Sequence, residues 1–498
     1  MVTYPRAVIL AIDQGTSGTT CLVFDSDGEL VGRARREFTQ SFPRPGWVEH
    51  DAEEIWLVTQ AVAGEALADA GVRPGGLEAV GITNQRETVV VWDPATGTPL
   101  HPALVWQDRR TAARCEELRG AGWEDLVRTR TGLVLDPYFS ATKIEWLLAN
   151  VDGLGDRVGR GRAVFGTIDA WIVFKLTGEL ATDPSNASRT MLFDIGRGAW
   201  DGELLELFGV PERALPEVRP SAGSFGTTRP DALHGHTVVV SGVAGDQQAA
   251  LFGQACLDPG MGKNTYGTGS FVLINAGGQP PDAAAGLLTT VAWGIGERLV
   301  YALEAAIFVT GAAVQWLRDG LGIIDAADET EALAASLESN DGVYFVPALT
   351  GLGSPHWDPH ARGTIVGLTR GTGRAHLARA TLEAIAFQTV DAIRAIESTG
   401  AAELIELRVD GGASVNRWLM QFQADVLGVP VVTAATSETT ALGAAALAGV
   451  GAGLWTLDGV RARRRPGARY EPAMSSGLRA ELLAGWAEAV GRTTYERG

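Results

Sequence analysis

The sequence predicts an α/β protein made of two related halves. Strand-like and helix-like segments alternate along all 498 residues. Short apolar strands end repeatedly in glycine loops rich in Asp, Ser and Thr. Two of these loops, 13–20 and 263–271, resemble each other in composition although about 250 residues separate them. Two similar units of this kind are expected to meet at a cleft.

The elements follow in order. Residues 8–12 form a continuous apolar run suited to a buried strand. The polar loop Asp13-Gln14-Gly15-Thr16-Ser17-Gly18-Thr19-Thr20 comes next, then a second strand over 21–24, a turn over 25–28 and a third strand from Leu30. The loop is therefore the tip of a hairpin, not the start of a helix. Residues 238–243 predict a strand that runs into Asp246 and a helix from Ala249. Residues 263–271 predict a second glycine-rich hairpin. An amphipathic helix is predicted over 374–397, with Ala378, Leu382, Ile385, Thr389, Ile393 and Ile396 on one face and Gly400 as the stop. A strand over 404–409 ends at Asp410-Gly411-Gly412-Ala413. Another helix follows, its apolar face drawn through Val415, Leu419, Phe422 and Val426. The Ala/Gly-rich run 441–457 reads as a buried helix and a loop, too poor in large apolar side chains for a membrane span.

Composition narrows the function. Hydrophobic residues are 46% and charged residues 20%, an ordinary globular balance. With 41 Lys+Arg against 59 Asp+Glu the net charge is −18, which opposes nucleic-acid binding. Cys21, Cys115 and Cys256 are too few and too scattered for a disulfide framework or a thiolate metal site. The N-terminus lacks a secretory apolar region, so the expected location is the cytoplasm, without membrane insertion. The basic residues are almost all Arg; the lysines are Lys143, Lys175 and Lys263, a bias that reads as composition rather than mechanism.

Several nucleotide motifs are missing. The one Gly-Lys pair, Gly262-Lys263, is followed by Asn264, so there is no P-loop. The protein-kinase His-Arg-Asp and Asp-Phe-Gly strings and the zinc motif H-E-x-x-H are absent as well. Three acidic strand ends remain. Phosphoryl transfer needs hydroxyl and backbone donors for phosphate, a carboxylate for hydrated Mg²⁺ and a base for the attacking hydroxyl. Asp13 with Thr16 and Ser17 can supply the first two, Asp246 the base, and the 410–412 turn a nucleotide seat.

Longer strings then point to a family. They include Asp13-Gln14-Gly15-Thr16, Pro45-Gly46-Trp47-Val48-Glu49-His50-Asp51, Asn84-Gln85-Arg86-Glu87-Thr88 and Asp136-Pro137-Tyr138-Phe139-Ser140. Asn186-Ala187-Ser188-Arg189-Thr190-Met191, Gly245-Asp246-Gln247-Gln248, Thr265-Tyr266-Gly267-Thr268-Gly269 and Asp410-Gly411-Gly412-Ala413 complete the set. The chain resembles the FGGY carbohydrate kinases, and within them the glycerol branch. That resemblance implies two ribonuclease-H-like domains of the actin and hexokinase ATPase type flanking a deep cleft, over 1–253 (glycerol and phosphate side) and 254–498 (nucleotide side). It implies transfer of phosphate from ATP to glycerol, with Mg²⁺ and a homodimer or homotetramer.

The resemblance also implies roles. Arg86, Glu87, Tyr138, Asp246 and Gln247 would hold the glycerol hydroxyls, and Trp106 and Phe271 would face its carbons. Asp246 would be the catalytic base, and Asp13 would organise Mg²⁺ through water. Thr16, Ser17, Thr268, Gly311, Gln315, Gly412 and Asn416 would contact ATP. One departure stands out: Thr20 occupies a position where many relatives carry Arg, which predicts weaker ADP and ATP binding. The 230–236 segment has no Arg, which predicts no sugar-bisphosphate inhibition, and His234 and His236 read as surface histidines. The rivals are a kinase for a ketose such as xylulose, which the Arg86-Glu87 loop disfavours, and a nucleotide-binding regulator, which retention of Asp13 and Asp246 disfavours.

Overall fold

The computed structural model describes residues 8–282, 286–358 and 360–494. Two twisted sheets dominate it. The first holds β1 (Val8–Gln14), β2 (Gly18–Phe24), β3 (Leu30–Glu37), β4 (Leu77–Asn84) and β5 (Val240–Gly245), in the order β5-β4-β1-β2-β3. The antiparallel meander β1-β2-β3 is continued by two parallel strands. In the second sheet, β6 (Met261–Tyr266), β7 (Ser270–Gly277), β9 (Arg298–Ile307), β10 (Glu406–Gly411) and β11 (Val431–Ala434) repeat that order and those pairing directions. Strands β8 (Leu288–Ile295) and β12 (Pro466–Tyr470) are added at its two edges. The repeated order is what two ribonuclease-H-like units require, and both glycine loops are hairpin tips: Asp13 pairs with Thr20, and Tyr266 with Ser270.

Two helices bind the lobes together. Helix α1 (Asp246–Gly253) follows β5 directly. Helix α2 (Thr439–Gly451), the Ala/Gly run of the sequence, lies on the first sheet although it follows the strands of the second. Its backbone comes so close that a Cβ at Gly81 would sit 2.2 Å from the Ala444 carbonyl oxygen, and one at Gly242 2.3 Å from the Ala448 nitrogen. Small residues on both partners permit that approach. One buried cluster consequently joins Ile9, Ala11 and Leu22 of the first lobe to Leu273, Ala292 and Trp293 of the second.

Some local expectations change. Val415 is 80% exposed, because the helix starts at Arg417 and residues 412–415 form a tight turn before it. His234 is exposed, but His236 is buried. All three thiols are free and buried, and among the described residues no helix is long and apolar enough to cross a membrane.

Candidate active site

The site begins at the carboxyl ends of the parallel strands β1, β4 and β5, where an open α/β sheet receives its ligands. The register aligns Asp13 with Thr83 and Thr83 with Ala244, so these ends open on one edge. Asp13 sits near the end of β1. The loop Gln85-Arg86-Glu87 leaves β4, and Asp246 is the first residue after β5. The Gln85 amide donates to the Gln14 carbonyl at 2.7 Å and ties that loop to the first hairpin. Glu87 adopts φ 62°, a left-handed conformation costing on the order of 1 kcal/mol, which its surroundings must hold.

The second sheet faces this edge. Thr16, Arg86, Glu87, Trp106, Tyr138, Asp246 and Gln247 of the first lobe and Phe271 of the second line one cavity of about 50 Å³. That is room for roughly three to five water-sized groups. Trp106 and Tyr138 meet edge to face at 5.5 Å, and Trp106 Nε1 donates to Thr16 Oγ1 at 2.9 Å. The Phe271 ring centroid lies 6.0 Å from the Arg86 guanidinium carbon. The lining is thus polar at one end and aromatic on its walls, as a small polyhydric alcohol requires.

Arg86 and Glu87 are not a solvated surface pair: they are 3% and 1% exposed. Arg86 Nε meets Asp246 Oδ1 at 3.1 Å, while Nη1 and Nη2 donate to Glu304 Oε2 and Oε1 at 2.5 and 3.2 Å. Arg189 donates from Nε to Glu87 Oε1 at 2.6 Å and from Nη2 to Glu304 Oε1 at 3.1 Å. Burial pushes the Glu87 carboxyl up, against the pull of Arg189 and Arg86. Burial would also raise Glu304, yet Arg189 and Arg86 hold it down at about 2. Neither Glu304 nor Arg189 was assigned a role from sequence, although Arg189 lies inside a family-like string.

Asp246 is one-third exposed, toward the cavity. It does not cap its helix, since Gly245 holds the cap position without a side-chain bond. Oδ1 accepts from the Gln247 amide at 2.7 Å, and Oδ2 accepts no hydrogen bond from the described residues. Burial raises the Asp246 carboxyl while Arg86 opposes the rise. Asp13 is pushed up to about 7, first by burial and then by the negative charges of Asp246 and Glu438. Asp13 and Asp246 therefore repel each other electrostatically, and of the two it is Asp246 that has a cation, Arg86, at its side. Among the described residues no cluster of three metal-ligating side chains exists. One such carboxylate suits Mg²⁺ held mainly by water and phosphate.

Of the residues expected to contact ATP, Thr16 lines this cavity; the others have varied surroundings. Ser17 and Thr268 are exposed at the two hairpin tips. The Thr268 carbonyl accepts from the Thr310 and Ala312 amides. A Cβ at Gly311 would lie 2.6 Å from the Gly267 carbonyl oxygen, so glycine there seats a short helix against the second hairpin. Gln315 is exposed. Gly412 faces open space, whereas Gly411 has φ 86° and a Cβ there would strike the Tyr266 carbonyl oxygen at 2.3 Å. The Asn416 side chain caps the following helix, its Oδ1 accepting from the Leu419 amide at 2.9 Å. Asp410 accepts from Gln254 and Thr439 and is buried as a structural carboxylate.

A buried layer supports the cavity. The Lys143 ammonium donates to the Pro137, Tyr138 and Phe139 carbonyls and so holds the loop carrying Tyr138. Lys263 donates to Gln247 Oε1 and to Thr265 Oγ1. Asp183 binds Ser185 and Asn186. Ser185 Oγ in turn accepts from the Gly245 amide at 2.9 Å, and Asn186 pairs with Asn84. Asn186, the first residue of an Asn-Ala-Ser glycosylation sequon, is fully buried and so inaccessible to that modification.

Residues 8–253 match the FGGY family of carbohydrate kinases, N-terminal domain, and residues 262–452 the C-terminal domain of the same family. A protein of Halorhodospira halophila named glycerol kinase is 55% identical over 97% of this chain and 96% of its own length. The crystal structure of Plasmodium falciparum glycerol kinase with ADP superposes with a TM-score of 0.94 at 36% identity, covering 99% of each chain. A xylulose kinase from Rhodospirillum rubrum gives a TM-score of 0.86 at 25% identity over 98% of each chain.

Proposed function

The chain belongs to the FGGY family of carbohydrate kinases, and from that membership and the cavity we propose that it transfers the γ-phosphoryl group of ATP to glycerol, giving glycerol 3-phosphate and ADP. The observation that carries the choice of acceptor is the eight-residue cavity, whose aromatic walls and charged floor suit a small triol. The second Nη2 hydrogen of Arg86, which Glu304 leaves unused, would donate to its hydroxyls, and Glu87 would accept from them. Charge-assisted bonds of this kind discriminate against an analogue that lacks a hydroxyl, because a buried partner is then left unpaired.

Asp246 acts as general base through its unbonded Oδ2. It takes the proton of the attacking hydroxyl as the new O–P bond forms and the bond from the γ-phosphorus to the bridging oxygen of ADP breaks. Arg86, at 3.1 Å, keeps Asp246 ionised and oriented. Tyr138 and Trp106 exclude water beside the reacting oxygen. Thr16, Ser17 and Thr268 offer hydroxyls and amides to the phosphates, and the 411–416 turn offers backbone and Asn416 to the nucleoside. The raised, cation-poor carboxylate Asp13 would hold Mg²⁺, which when bound neutralises charge on the phosphates. A homodimer or homotetramer in the cytoplasm completes the reading, carried by family resemblance alone.

The test is an ADP-release assay on the purified chain with ATP, Mg²⁺ and a panel of glycerol, glyceraldehyde, xylulose and water alone. Glycerol is expected to give the highest kcat/KM. A preferred pentulose would reassign the acceptor, and binding of ATP and glycerol without turnover would make the protein a regulator.

A further inference from the structure

Cross-strand pairing in the second sheet aligns Lys263 with Leu273 and Leu273 with Glu304. Directly opposed residues point to the same face, so Lys263 and Glu304 stand on the face turned toward the first lobe. Phe271, two residues before Leu273 on the same strand, shares that face. Lys263 reaches Gln247, and Glu304 reaches Arg86 and Arg189. Glu304 is 1% exposed and 218 residues from Arg86 in sequence. The far lobe thus completes the acceptor site of the near lobe.

A buried ion-pair network lies behind the cavity: Arg86 and Arg189 are shared among Glu87, Asp246 and Glu304, and Lys263 stands beside them on Gln247. Both terminal nitrogens of Arg86 are occupied by Glu304. Only Nε faces Asp246, so no bidentate fork is left for a substrate carboxylate.

We propose that Glu304 is a specificity-determining positioning residue: it orients and neutralises Arg86, so that the pocket accepts an uncharged polyol and rejects its carboxylated analogue. Glu304 itself does not touch the reacting atoms. This rests on the acceptor reading above. Replacing Glu304 by Gln removes one negative charge from this network and frees one arm of Arg86 for an anion, whereas Asp retains the charge on a shorter arm.

The experiment compares wild type, Glu304→Gln and Glu304→Asp at saturating Mg-ATP, with glycerol as substrate and glycerate as inhibitor. For Glu304→Gln the KM for glycerol is expected to rise at least about tenfold while the KM for ATP stays within about twofold. Glycerate is expected to become a competitive inhibitor against glycerol, and to remain inert toward wild type and Glu304→Asp. A merely structural role would lower thermal stability without creating glycerate inhibition. A Glu304→Gln enzyme that folds and still ignores glycerate overturns the proposal. If Glu304→Gln does not fold, Glu304→Asp decides: an unchanged KM for glycerol, or inhibition by glycerate, overturns it. Failure of wild type to phosphorylate glycerol would instead overturn the acceptor reading, and is distinguished by that control.

Discussion

Replacing Asp246 by Asn isolates the proton-transfer step. Asn is nearly isosteric, and its Oδ1 can still accept from Arg86 Nε (3.1 Å in wild type) and from the Gln247 amide (2.7 Å). Arg86 also keeps its two bonds to Glu304, so the pocket is expected to hold its shape and the KM for glycerol to change by less than about fivefold. What is lost is the basic oxygen Oδ2. A positioned general base contributes about 10²- to 10⁴-fold, or about 2.7 to 5.4 kcal/mol of barrier. The coupled ADP-release assay should therefore show kcat reduced at least about 100-fold. The wild-type pH profile offers a second reading. The active form is the carboxylate, and its pKa is raised by burial, so kcat/KM should be full above that raised value and fall as pH drops through it. In Asp246→Asn the acid limb should vanish. A loss of less than tenfold in kcat, or an unchanged acid limb, would refute Asp246 as the base.

Three other outcomes are expected. Burial brings Lys263 and Lys143 down to about 8, so both lose charge as pH rises through that value; their hold on Gln247 and the Tyr138 loop should weaken and the KM for glycerol should climb above pH 8, as steady-state kinetics across pH would record. Thr20 on β2 lies directly opposite Asp13 on β1, so Thr20→Arg should direct a cation onto that face and tighten ADP by roughly fivefold or more in calorimetry. No gain would mean that another group already serves the phosphates. Gly81→Ala should cost about 1 to 3 kcal/mol and lower Tm in a thermal melt, because its Cβ would fall 2.2 Å from the Ala444 carbonyl oxygen with helix α2 packed behind it.

Much was readable along the chain itself. Apolar runs ending in glycine loops specified strands and hairpin tips, since period and turn chemistry are local properties. The strand-end carboxylates Asp13 and Asp246 could be picked out because parallel strands deliver their carboxyl ends to one edge, whereas Arg86 and Glu87 were legible only through the family resemblance. Val415 misled the reading: helical spacing alone cannot tell the turn before a helix from its first face.

Tertiary structure decided the partners. Glu304 lies on a strand whose sequence gives no sign of Arg86, and only the register of the second sheet brings it and Lys263 onto the facing surface. The Ala/Gly run was legible as a helix but not as the seam between lobes, because its fit depends on Gly81 and Gly242 hundreds of residues earlier. Side-chain type and local periodicity are written in sequence; which charge neutralises which is set by distance across the cleft, and that exists only once both sheets have folded against each other.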